Sequence, residues 1–312
     1  MYFPYLRGKQ FEFLALRELL ENGLLSSKVI PIIEPVKLSS ALIRTMETFI
    51  DNQRELGIVC NPCVGEFNIQ LENDKAYSDE KDKFLSLLEE KEILEFYHMS
   101  GNCSSEIRSL EKISDIKKED INVIVENSDL IDEYDEVFSE VDPSLTLIPY
   151  KLRRKISKNR VLFEDKFEKC SRNSDYKDNE DDLFSEDHLF YEEENFIGFG
   201  DYSIIGEKYS ETGFAPFAVA IHIVYFDKKM NLRIHHFVSD SNEGREDPAQ
   251  KFYEAVKKLT SWCKENGVFE TTALKIFKEH CKNETYPGLG VAKKLSIMHH
   301  LELISKYLDG EI

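Results

Sequence analysis

The sequence predicts an α/β protein, a single TIM-barrel-like (β/α)8 domain over residues 1–312 with an acidic insertion and a late antiparallel hairpin. Three observations carry that expectation. Short apolar stretches of strand length alternate with amphipathic helical stretches. Six such units, of about thirty residues each, fill the chain up to residue 165, a spacing that suits a closed barrel better than an open sheet. No Gly-x-Gly-x-x-Gly follows the first strand, so the dinucleotide-binding form of an open sheet loses support.

The elements follow in order. Tyr2 to Leu6 is a short apolar run, broken by Arg7-Gly8-Lys9. From Gln10, Phe11, Leu14, Ala15, Leu16, Leu19 and Leu20 recur at helical spacing, with Glu12, Arg17, Glu18 and Glu21 on the other face. Asn22-Gly23 stops that helix. Lys28 to Glu34 reads as a buried strand ending in an acid. Leu38 to Leu56 is a helix capped by Ser39-Ser40, with Leu42, Ile43, Met46, Phe49 and Ile50 as its apolar stripe. Ile58 to Gly65 is a strand and turn, Asp79 to Lys91 a helix, Ile93 to Met99 a strand and Ser104 to Ile113 a helix. Ile121 to Glu126 is a strand, Leu130 to Val141 a helix, and Ser144 to Tyr150 a strand running into Lys151, Arg153, Arg154 and Lys155. Arg160 to Phe163 is the sixth strand and ends in Glu164-Asp165.

The alternation then stops. Lys166 to Asn195 is polar, strongly acidic and poor in strand formers, which marks an insertion after the sixth strand. A lid over the barrel mouth, a docking segment for a basic partner and a solvated excursion all fit it; Phe184, Phe190 and Tyr191 imply that part of it packs. Phe196 to Gly206 carries Gly198 and Gly200, which permit a bulge or a close backbone approach where Asp201 emerges. Ala218 to Phe226 and Asn231 to Ser239 form an antiparallel hairpin, one strand expected to close the barrel and the other to extend it. Residues 247–312 are helical: Pro248 to Asn266, Thr271 to Lys282 and Val291 to Leu308.

Composition bounds the function classes. A formal charge of -19 argues against duplex DNA or an anionic membrane as a general partner and favours basic partners or plain solubility. No stretch approaches the about 18 continuous apolar residues that span a bilayer. No signal-peptide pattern opens the chain, and the six cysteines are scattered, so a cytoplasmic protein with reduced thiols is expected.

In a TIM barrel the working residues lie at the C-terminal ends of strands. Those positions are Glu34, Asn61, His98, Glu126, Lys151, Glu164 or Asp165, and Asp201 with Tyr202, with Arg7 and Lys9 from the N-terminal segment. Paired acids and bases of this kind suit metal-assisted or acid/base chemistry; taken singly, a strand-end acid reads first as a helix cap or a lysine partner. Cys60-x-x-Cys63 has the spacing of half a zinc site, but no second such pair follows, so no metal ligands are assigned. His235-His236 in a strand face opposite ways, and His299-His300 lack the i, i+4 spacing of a helical metal pair. Pro287 to Gly290 reads as a turn, and the basic cluster at 151–158 is expected to pair with the acidic insertion.

Two blocks carry a resemblance. Arg7-Gly8-Lys9, Glu12, Ala15-Leu16 and the strand ending Pro31-Ile32-Ile33-Glu34 resemble the beta-protein family of tailed phages and bacteria, and Gly198-Phe199-Gly200-Asp201-Tyr202 is similar to that family's later strand. The resemblance implies a TIM-barrel-like fold and supplies no reaction. Two functions follow as expectations. The first is an interaction protein of a phage–bacterium conflict (anti-phage defence) system, binding a ligand or a partner from a neighbouring gene at the barrel mouth. The second is a metal-assisted or acid/base hydrolase using Lys9, Glu34, Glu126 and Asp201, with Arg7, Asn61, His98, Lys151, Asp165 and Tyr202 around the ligand. Cofactor and oligomeric state stay open.

Overall fold

The computed structural model describes residues 1–72, 77–99, 107, 117–211 and 216–312. The helix expected over Ser104 to Ile113 lies almost wholly outside them.

Eleven strands occur among the described residues: β1 (Tyr2–Leu6), β2 (Ile32–Ile33), β3 (Leu56–Val59), β4 (Ile93–His98), β5 (Asn122–Ile124), β6 (Leu145–Ile148), β7 (Arg160–Phe163), β8 (Asp181–Ser185), β9 (Gly198–Asp201), β10 (Ala220–Phe226) and β11 (Leu232–Val238). The first seven and β9 form a closed, all-parallel barrel in chain order. Its strands are short and buried, as a sheet covered on both faces requires. The fold is α/β and TIM-barrel-like, as the alternation predicted.

By internal contacts the chain divides into two compact units. The first comprises residues 1–9, 29–165 and 190–202 and contains the barrel. Its helices include Ser40–Asp51, whose cap is Ser39 accepting from the Leu42 N–H, and Ser78–Leu88. The second comprises residues 10–28, 166–189 and 203–312. It holds the antiparallel sheet β10-β11-β8 and the helices Gln10–Glu21, Pro248–Asn266, Thr272–Asn283 and Leu289–Leu308.

Three expectations are corrected. The apolar run Tyr2–Leu6 is itself a barrel strand, paired with β2 and β9, so the insertion follows the seventh strand rather than the sixth. Pro4 within it removes a donor, which is why the run carries a weak strand signal. The hairpin closes nothing: β9 closes the barrel, with Phe3 opposite Gly200 and Pro4 opposite Asp201, while β10 and β11 form a separate sheet. Glycine makes that closure possible. A Cβ at Gly200 would sit 2.5 Å from the Phe3 carbonyl oxygen, and one at Gly198 2.7 Å from the Phe3 ring.

The third correction is the acidic insertion, which supplies β8 to the second sheet. Its acids become strand residues because partners receive them. Asp181 accepts from Tyr225 Oη at 2.7 Å and from Arg233 Nε at 2.6 Å, and lies 3.0 Å from His235 Nδ1. Although desolvation acts against the charge, those hydrogen bonds hold the Asp181 carboxyl below its usual range. Phe184 is buried; Phe190, on the short helix Asp187–Phe190, is exposed.

Candidate functional site

The site is built at the C-terminal ends of the barrel strands. Arg7 follows β1, and Gly8, at φ +62°, turns the chain directly after it. Its Nη1 donates to Glu34 Oε2 in a buried ion pair. The guanidinium carbon lies 5.3 Å from the Tyr5 ring centroid and 5.2 Å from that of Tyr202, so two aromatic faces flank the charge.

Glu34 follows β2 and is fully buried. Its backbone N–H donates to the Leu6 carbonyl at 2.8 Å. Its second carboxylate oxygen, Oε1, accepts from the Cys63 backbone N–H at 2.7 Å. A charge taken out of water is thereby met on both oxygens, the condition under which burial is tolerated.

His98 ends β4 and is also buried. Asn61 holds its backbone from both sides: the Asn61 amide donates to the His98 carbonyl at 3.0 Å and accepts from the His98 N–H at 2.8 Å. The ring Nε2 is 2.8 Å from the Tyr5 hydroxyl and 3.8 Å from Glu34 Oε1, and Nδ1 faces Glu126 Oε1 at 3.9 Å. The tautomer with Nδ1–H suits this geometry: the proton faces a carboxylate, and Nε2 accepts from Tyr5. Burial and the Arg7 charge lower the His98 pKa to about 4, so the ring is neutral near pH 7.

Glu126, beyond β5, is exposed and accepts from the Tyr202 hydroxyl at 3.4 Å. Tyr202 packs against Tyr5 and Phe163, with ring centroids 5.0 and 4.9 Å away. Arg7, Glu34, Asn61, His98, Glu126 and Tyr202 are therefore brought together.

Asp201 is not among them. Successive strand residues face opposite sides of a sheet, and Asp201 lies on the face of β9 opposite Tyr202, where its carboxylate accepts from Tyr2 Oη at 2.9 Å. Burial and Asp201 push that phenol well above its ordinary pKa. Lys151 is exposed in the turn Tyr150–Leu152, Asp165 is exposed after β7, and Lys9 is half-buried just before the helix Gln10–Glu21. Glu164 accepts from the Tyr150 N–H at 2.9 Å.

Two residues were missed. Tyr5 shares strand parity with Arg7 and would have been placed with it had Tyr2–Leu6 been read as a strand. Cys63 pairs by spacing with Cys60 in the sequence, but in the structure the two thiols have different neighbours. Cys60 Sγ lies 3.5 Å from Glu95 Oε2, and burial raises its thiol pKa. Cys63 instead groups with Glu34 and His98, a donor atom of each lying within 4.8 Å of the others.

The remaining candidates resolve into local roles. His235 stacks on Trp262, while His236 Nδ1 meets His222 Nδ1 at 2.7 Å, opposite faces as expected. His299 and His300 are buried and bonded, to Thr271 with the Val224 carbonyl and to Ser203 respectively. The stretch read as a turn at Pro287 to Gly290 instead runs into the helix Leu289–Leu308, which already includes Gly290, and Lys293 and Lys294 of that helix meet Glu12 and Glu18. Arg153 stacks on Tyr150 and faces Glu194 of the acidic insertion at 4.0 Å, whereas Lys158 pairs with Asp142 at 2.7 Å. The second unit holds a cavity of about 260 Å³, lined in part by Tyr176, Ile205, His222 and Lys293.

Comparison of the chain with models of protein families, with curated proteins and with solved structures returns no match. No helix among the described residues is long and apolar enough to cross a membrane.

Proposed function

We propose that this chain is a recognition protein whose barrel mouth receives a basic group of a partner protein, in the phage–bacterium conflict setting that the beta-family resemblance implies. One observation supports this reading most. Arg7, Glu34 and Tyr202, all within the resembling blocks, meet His98 and Glu126 at one end of the barrel. Within that group the Arg7 charge is already balanced by Glu34, which leaves Glu126 as the anion turned to solvent. A mouth of that sign in a chain of net charge -19 favours a cationic guest and speeds its approach.

Catalysis by Glu34 and His98 alone fits less well, since a working base must reach its substrate's proton, and both side chains are sealed by mutual partners. The hydrolase reading keeps one supporting observation, the grouping of Glu34, Cys63 and His98 as metal-type donors.

Gentle affinity purification from the native host tests the proposal, comparing wild type with Glu126→Lys. The exposed position lets the variant fold, which circular dichroism checks. A partner held by wild type and lost by the variant is the expected result. Identical capture by both proteins would remove the mouth as the docking site.

A further inference from the structure

We propose that Glu34, Cys63 and His98 form a binding site for a zinc-class divalent cation at the barrel mouth. The proposal rests on the reading of the mouth as the ligand site and specifies one ligand it takes.

The three residues come from the C-terminal ends of consecutive strands: Glu34 after β2, Cys63 in the turn after β3, and His98 at the end of β4. Their donor atoms lie within 4.8 Å of one another. Glu34 Oε1 and His98 Nε2 are 3.8 Å apart, and zinc bonds to nitrogen and oxygen are about 2.0–2.2 Å, so one ion reaches both with sub-ångström adjustment.

The donor set selects the metal class. One thiolate, one imidazole and one carboxylate suit zinc and its borderline neighbours, whereas magnesium and calcium take oxygen cages. Three protein ligands with a solvent-reached fourth position is the open form of a zinc site. Cys63 is exposed and supplies the entry side; Glu34 and His98 are buried and supply the rigid side.

The surrounding groups fit the ion as well. Glu34 Oε2 belongs to Arg7, which fixes the carboxylate and leaves Oε1 facing His98. Glu126 faces Nδ1 of the same ring, the outer carboxylate that orients a metal-bound histidine. Formal charges also close: the ion and Arg7 bring three positive charges, and Glu34, Glu126 and the Cys63 thiolate bring three negative ones. On binding, the Cys63 thiol releases its proton to solvent, an S–metal bond replaces S–H, and Nε2 exchanges the Tyr5 hydroxyl for the ion.

Cobalt(II) titration of the reduced, full-length protein tests this. The expected result is a thiolate-to-cobalt charge-transfer band that Cys63→Ser abolishes and Cys60→Ser leaves in place. Glu126→Gln is expected to weaken binding about 10–100-fold. No cobalt uptake, a band that survives Cys63→Ser, or equal loss in Cys60→Ser would each overturn the site. Its failure is separable from failure of the recognition reading. No cobalt uptake by a protein whose partner is lost on Glu126→Lys overturns the metal alone. A Cys63-dependent band in a protein whose partner survives Glu126→Lys supports the metal and overturns the docking.

Discussion

Arg7 and Glu34 form the point at which the site and its cost are easiest to measure. The pair is buried, and Glu34 is out of reach of water. Removing one partner of a buried pair leaves an uncompensated charge, whereas removing both removes the problem. Arg7→Met is therefore expected to destabilise the protein by ~3–5 kcal/mol in urea unfolding. The double variant Arg7→Met/Glu34→Gln should recover a good part of that loss, because glutamine still accepts from the Cys63 N–H. A double variant at least as unstable as Arg7→Met would mean that the pair is not the unit holding these residues. Lysine at position 7 keeps the charge and loses the planar fork between Tyr5 and Tyr202, so Arg7→Lys should fall between wild type and Arg7→Met.

At the level of elements, the barrel was legible wherever a strand carries a continuous apolar run bounded by helix signals. Arg160–Phe163 and Pro248–Asn266 lie where periodicity and caps put them. What stayed hidden depends on pairing rather than on local pattern. β8 reads as an acidic loop because its acids are neutralised by residues about fifty positions later, Arg233 and His235. The site shows the same division. Glu34, Asn61 and His98 were found from the rule that strand ends carry function, while Tyr5 and Cys63 needed the register of β1 and the turn after β3. Asp201 emerges from the expected strand on the other face, a distinction that one residue of register decides.

Closure by β9 supplies a test at this scale. Gly200 stands where a Cβ would enter the Phe3 backbone at 2.5 Å and crowd the Phe163 ring at 3.3 Å. Backbone cannot yield as a flexible side chain does, so Gly200→Ala must open the β1–β9 seam or strain it. Overpacking of this kind costs about 1–3 kcal/mol. Faster amide exchange in both strands should accompany the loss. Unchanged stability and exchange would show that the seam is not closely packed.

The whole molecule sets two electrostatic influences against each other. Its net charge of -19 favours protonated histidine, while burial disfavours it. Burial wins: His98, His188, His222, His236, His280, His299 and His300 are all shifted below their ordinary value of 6.5, with desolvation the largest cause in each. His236 and His299 fall to about 4, and His300, beside His299, to about 3. Below pH 6.5 the unfolded chain takes up protons that the folded chain refuses, so acidification favours unfolding. The contribution of these histidines is complete above pH 6.5 and is lost as pH falls toward their folded values of about 4 and 3. Each adds a slope of up to ~1.4 kcal/mol per pH unit. Urea midpoints should therefore fall steadily between pH 7 and pH 5, before ordinary carboxylates titrate. Substituting His299 by Gln removes one titrating group and should flatten that slope, whatever it does to stability at pH 7. Midpoints that stay level over this range, or rise, would mean that relief of the excess negative charge outweighs the buried histidines.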